Sequence, residues 1–83
     1  MGWNSIQISK KDPLFNNLEN NEYFYFCHSY YFDCLKKNNI LAETNYGHKF
    51  ASIVKNENIY GIQFHPEKSH DSGVKILENF SKL

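Results

Sequence analysis

The 83 residues carry no excess charge, nine basic side chains being matched by nine acidic ones. Without a basic surplus there is no electrostatic footprint for a polyphosphate, and nucleic acid is not expected as a partner. Long apolar runs are missing too. No stretch approaches the roughly 18 consecutive apolar residues of a membrane span, and Met1-Gly2-Trp3-Asn4 does not open a basic region followed by an apolar core. The chain is therefore read as soluble and cytoplasmic, with no membrane partner. Cysteine is scarce: Cys27 and Cys34 are too few for the disulfide framework of a small secreted fold and read as reduced thiols. Closely spaced cysteine pairs and the H-E-x-x-H pattern are both absent. His65 and His70 are five apart with Pro66 between them, while His28 and His48 stand singly in or beside strands, so neither a metal site nor a cofactor is expected.

Aromatic surface, by contrast, is plentiful at 17% of residues, with seven Phe and six Tyr. A chain this short buries only roughly 60% of the surface its unfolded form exposes, so one small domain is the upper limit and some apolar surface calls for a partner. Asn4 to Ser9 alternates Ile6 and Ile8 with polar neighbours and reads as a short strand. In "KKDPLFNNLENN", Asp12 is placed to cap a turn of helix with Pro13 at its first position. "EYFYFCHSYYF" favours a buried strand over 23–28. "ILAETNYG" reads as a strand closed by Gly47, and "KFASIVKNENIYGIQF" as two strands joined by Asn56-Glu57-Asn58. The tail "HDSGVKILENFSKL" is a helix capped by Asp71 or Ser72. Its apolar residues stand at 76, 77, 80 and 83, and Glu78 is placed to pair with Lys82.

The stretch "YGIQFHPEKS", residues 60–69, sets His65 and Glu67 two apart at the end of a strand. Pro66 disfavours helical geometry at His65, and residues two apart in an extended chain face the same side. The carboxylate is then placed to hold one imidazole nitrogen and leave the other to act as a base, two members of a nucleophile, histidine and acid triad. No third member is well framed. Cys27 lies between Phe26 and His28, Cys34 has no glycine near it, and a strained nucleophile elbow needs small neighbours. Both thiols read as small buried hydrophobes. Ser29, Ser69 and Ser72 read by default as polar surface residues.

The whole of "GIQFHPEKS" resembles the C-terminal signature of class I, triad-type glutamine amidotransferases. "MGWN" at 1–4, the segment around His28-Ser29-Tyr30, "TNYGHKF" at 44–50 and the "GVKILENF" tail narrow the resemblance to HisH-like glutaminases, the glutaminase subunits of imidazole glycerol phosphate synthase. The resemblance implies an α/β fold: residues 1–83 as the C-terminal portion of a flavodoxin-like amidotransferase domain, mostly β-strands with a C-terminal helix. It implies His65 as general base and acid, with Glu67 orienting it. Ser29 and Tyr30 would border the glutamine pocket, and Trp3, Tyr25 and Lys68 would face the synthase subunit. Without the resemblance, Trp3 and Lys68 would be taken as core filler and a solvated charge. Cys27 stands where the family commonly has an aliphatic residue.

The family's G-x-C-x-G elbow and its oxyanion loop do not occur in these residues. The resemblance therefore implies three partners: an N-terminal half carrying the nucleophile, a HisF-like cyclase subunit receiving ammonia, and L-glutamine as substrate. Alone, the chain is expected not to hydrolyse glutamine. Three alternatives stay open: a paralogous amidotransferase for amidination of surface sugars, a non-catalytic interaction module, and a self-contained Cys27 thiol enzyme. With the other half absent, an uncovered apolar sheet face should make the isolated chain self-associate. Gel filtration tests this, and a clean, cooperatively unfolding monomer would contradict it.

Overall fold

The computed structural model describes residues 2–26 and 37–83. Among the described residues six strands, β1 (Gly2–Ser5), β2 (Gln7–Ile8), β3 (Tyr23–Phe26), β4 (Ile40–Tyr46), β5 (His48–Asn56) and β6 (Ile59–Ile62), precede one helix, α1 (His70–Ser81). Short 3₁₀ turns at Pro13–Phe15, Lys37–Asn39 and Pro66–Lys68 join them. All pairings among the described residues are antiparallel. β1 and β3 form a two-stranded sheet, and a second sheet runs in the order β2-β4-β5-β6.

The single strand expected over Asn4 to Ser9 is divided between these sheets. Ile6, fully buried, still exchanges backbone bonds with the stretch before β3, its amide donating to the Glu22 carbonyl and its carbonyl accepting from the Asn21 amide, both at 3.0 Å. Beyond it the chain crosses to pair Gln7 with Glu43 and Ile8 with Ala42. Hydrophobic alternation is blind to such a switch, because either sheet satisfies the same period of two.

β3 shows why the aromatic run is a strand. Phe24 and Phe26 point inward and are buried, while Tyr23 is exposed and Tyr25 intermediate. Phe24 stacks on Phe64 at 4.2 Å, Phe26 meets Phe64 edge-on at 5.6 Å, and Phe26 meets Phe50 edge-on at 5.9 Å. These geometries suit ring quadrupoles and link β3 to β5 and to the segment after β6. Ile6, Leu14, Leu41, Ile53 and Ile76 complete one core. The strand expected over 23–28 is observed to Phe26, and its last two residues lie outside the described ones.

Helix α1 begins at His70, whose φ of 54° is left-handed. Neither Asp71 nor Ser72 is the cap; that position falls to Ser69, which makes no side-chain capping bond because its hydroxyl is engaged elsewhere. The buried face is Gly73, Ile76 and Asn79. Of the expected apolar set only Ile76 is buried, and Leu77, Phe80 and Leu83 are about half exposed. The reason is polar: Asn79 Nδ2 donates to the carbonyls of Leu14 (2.8 Å) and Asn16 (2.7 Å), turning its own face inward. Pairing of Glu78 with Lys82 is not among the ion pairs of the described residues.

Asp12 caps the first 3₁₀ turn, its Oδ1 accepting from the Leu14 amide at 3.0 Å and from the Tyr60 hydroxyl at 2.9 Å, while Oδ2 pairs with Lys55 Nζ at 3.0 Å. Burial alone raises the pKa of this carboxyl, but those partners together outweigh it and hold the pKa below its ordinary value. Because the folded-state pKa is the lower one, this stabilisation is complete above the unfolded-state value and is lost as pH falls through the folded one. Asp12→Ala should cost about 1–2 kcal/mol at neutral pH. It should also flatten the acid limb of the stability curve below about pH 4, read by urea titrations across pH.

Candidate functional site

Phe64 is buried against Phe24 and Phe26, and the next residue leaves the core at a defined place. His65 is extended, with φ −100° and ψ 99°. Its amide donates to the Tyr25 carbonyl at 2.8 Å, tying the segment after β6 to β3. After it the chain does not stay extended. Pro66, Glu67 and Lys68 form a 3₁₀ turn, with the Lys68 amide donating to the His65 carbonyl at 3.1 Å and the Ser69 amide to the Pro66 carbonyl at 3.0 Å. Proline restricts the residue before it but is itself well suited to the first position of a helical turn, its fixed φ being helical and its missing N–H needing no partner. The expectation of an extended 65–67 is corrected accordingly: the histidine and the glutamate face each other because the chain curls, not because it runs straight.

The pairing itself is close. His65 Nδ1 and Glu67 Oε2 lie 2.9 Å apart. The hydrogen bond from His65 is the main reason the Glu67 carboxyl is held below its ordinary pKa, with backbone donation adding to it. Glu67 is 60% exposed, so the contact orients the ring more than it stabilises the fold. Nε2 points the other way, out of contact with solvent. A neutral imidazole whose Nδ1–H is held by a carboxylate presents an Nε2 lone pair in a fixed direction, the arrangement required for moving a proton.

The three residues expected at a subunit interface lie on β1, on β3 and in the turn after His65. Trp3 on β1 is opposite Tyr25 on β3, their rings meeting edge-on at 5.7 Å, and Trp3 also meets His70 edge-on at 5.2 Å. Lys68 is exposed in the turn that follows His65. Trp3 is 45% exposed, so the core-filler reading does not hold for it. Trp3 and Tyr25 thus form an aromatic pair on the β1–β3 ladder, and Lys68 is an exposed cation next to Glu67 in the chain. Beside them a cleft of about 560 Å³ is lined by Trp3, Glu22, Tyr23, His70 and Ser72 among others. Ser29 and Tyr30, expected at the substrate pocket, lie outside the described residues, as do Cys27, Cys34 and His28. Among the described residues no group of three or more His, Cys, Asp or Glu is placed to hold a metal ion. No helix among them is long and apolar enough to cross a membrane.

Two residues at the site escaped the sequence reading. Ser69, taken as a surface serine, is 1% exposed, and Gly73 is buried where the helix passes the turn. Glycine in the first turn of an otherwise ordinary helix, four residues after a serine, was the available signal of close approach. Ser72, by contrast, is partly exposed, its hydroxyl hydrogen-bonded to the Glu22 carboxylate.

The site can be checked by itself. His65→Ala should move the Glu67 carboxyl midpoint upward, toward its ordinary value, a shift read by carbon-13 NMR of the side-chain carboxyl. A midpoint that does not move would mean that the two side chains are not paired in solution.

Comparison with known proteins follows the same direction. The family model for glutamine amidotransferase class-I matches residues 1–83. Imidazole glycerol phosphate synthase subunit HisH of Leptospira borgpetersenii is 51% identical over 83 residues, covering 100% of this chain and 41% of that protein. The subunit HisH 2 of Methanococcus maripaludis is 55% identical over 82 residues, 99% of this chain and again 41% of its own length. HisH of Methanocaldococcus jannaschii is 48% identical over 87 residues, 42% of its length. The chain thus spans about two fifths of the curated relatives it matches.

Proposed function

The chain belongs to the class-I glutamine amidotransferase family, and from that premise we propose that it is the C-terminal portion of a HisH-like glutaminase, supplying the histidine and acid of its catalytic triad. The observation that carries this reading is the 2.9 Å pairing of His65 Nδ1 with Glu67, which fixes the ring and turns Nε2 inward. In the complete enzyme a cysteine thiol outside these 83 residues attacks the side-chain amide carbon of L-glutamine. His65 Nε2 takes the thiol proton and gives it to the leaving nitrogen, so that the C–N bond breaks, ammonia departs and a thioester remains. Water, deprotonated by the same nitrogen, then hydrolyses the thioester to glutamate and restores the thiol. Glu67 keeps the ring oriented and stabilises the imidazolium formed in between.

Ser29 and Tyr30 border the glutamine pocket in this reading. Trp3, Tyr25 and Lys68 face the HisF-like synthase subunit that receives the ammonia for imidazole glycerol phosphate in histidine biosynthesis, a cytoplasmic reaction. Two features support that assignment: a half-exposed tryptophan seated on a tyrosine is typical of an interface anchor, and Lys68, next to Glu67 in the chain, is exposed and offers a charge for a rim.

Reconstitution tests the reading. The chain is combined with a segment bearing the G-x-C-x-G elbow and with the synthase subunit, and glutamate release is measured. His65→Ala should lower kcat by at least about a thousandfold, because a triad without its base keeps only binding and oxyanion stabilisation. Glu67→Gln should cost less while keeping KM. Release that proceeds unchanged in the His65→Ala protein would overturn the assignment.

A further inference from the structure

We propose that Ser69 is a positioning residue for His65, acting through a single buried hydroxyl that locks the backbone from which the imidazole projects onto the edge of β3. The bonds form a closed circuit. The His65 amide donates to the Tyr25 carbonyl at 2.8 Å, the Tyr25 amide donates to Ser69 Oγ at 2.9 Å, and Ser69 Oγ donates to the His65 carbonyl at 2.6 Å. One hydroxyl both accepts and donates, so both of its polar capacities are used. Tyr25 is paired across the β1–β3 ladder with Trp3, and in an antiparallel pair alternate residues turn their backbone groups away from the partner strand. Residue 25 does so, and the His65–Ser69 turn takes the place a further strand would occupy. His65 is thereby held at its amide and at its carbonyl.

Gly73 completes the device from the helix side. Its amide donates to the Ser69 carbonyl at 3.2 Å, and a β-carbon at position 73 would stand 1.9 Å from the Pro66 carbonyl oxygen. The helix therefore closes over the turn without a side chain between them. Ser69 is 1% exposed and does not use its hydroxyl as a helix cap, although it occupies the capping position. A serine at that position ordinarily spends its oxygen on the helix's free amides. Here the oxygen serves β3 and His65, and the catalytic direction is what gains from it. A group that must reach a thiol and a leaving nitrogen in turn loses rate steeply when displaced by a fraction of an ångström.

The catalytic half of this inference rests on the function proposed above, and the test separates the two. Ser69→Ala removes one oxygen and nothing else. In the reconstituted glutaminase it should lower kcat about 10- to 100-fold while the KM for glutamine stays within about twofold. In the chain itself it should move the Glu67 carboxyl midpoint upward, as the ring loses its fixed station. If His65→Ala leaves glutamate release intact, the proposed function fails, and the Glu67 titration alone then decides the Ser69 circuit. If His65→Ala abolishes release but Ser69→Ala leaves both kcat and the Glu67 midpoint unchanged, the positioning role is overturned. Should the Ser69→Ala chain not fold, amide exchange of the unsubstituted chain decides. The Tyr25 and His65 amides should be protected to within about threefold of each other, since one opening breaks the circuit for both. A Tyr25 amide exchanging more than about tenfold faster than His65 would mean that Ser69 does not hold it.

Discussion

Phe64 lies flat against Phe24 and edge-on to Phe26, and that aromatic contact determines where residue 65 leaves the core. The His65–Glu67 pair is placed relative to it. The ring stack brings the segment after β6 alongside β3, the His65 amide then finds the Tyr25 carbonyl, and the turn at Pro66 folds Glu67 back onto the imidazole. Burying three phenylalanines against one another supplies several kcal/mol of apolar stabilisation, of order 2 per side chain. A solvent-exposed carboxylate at the same spot contributes little to stability. The division is physically sensible: the hydrophobic contact bears the cost of order, and the polar pair is left to set direction and protonation.

How much of this was legible beforehand depended on the kind of signal involved. Turn chemistry was read well, because Asp12-Pro13 and Asn56-Glu57-Asn58 act locally and need no knowledge of what they pack against. The strand ending at Tyr46 and the hairpin delivering His65 followed from the same local cues. The pairing of His65 with Glu67 was anticipated while its geometry was not, since Pro66 argues for extension at 65 and for a helical turn from 66 onward. Which of those preferences prevails past the proline is decided by Ser69 and Gly73, through tertiary contacts that no local pattern carries.

The helix shows the same limit in another form. Its apolar residues suggested a buried stripe through 76, 77, 80 and 83, yet the face turned inward holds a glycine, an isoleucine and an asparagine. Two backbone carbonyls at the Pro13–Phe15 turn need donors, and Asn79 provides both. Burying those carbonyls without partners would cost more than leaving Leu77 half in solvent. Rotation of the helix was thus set by hydrogen-bond satisfaction, with the apolar surface distributed around what remained. The split of the first strand at Ile6 is comparable, its partners being chosen by 21–22 on one side and β4 on the other.

The contact of Gly73 with the Pro66 carbonyl leaves room for a hydrogen atom and no more, which makes the interval from proline to glycine a fixed gauge. One residue inserted there would turn the helix by about 100° and bring a side chain where only hydrogen fits. It would also carry Asn79 away from the carbonyls of Leu14 and Asn16. An extra residue in the exposed Glu57-Asn58 turn between β5 and β6 would disturb neither contact. The spacing from Pro66 to Gly73 is held like that between the teeth of a gear.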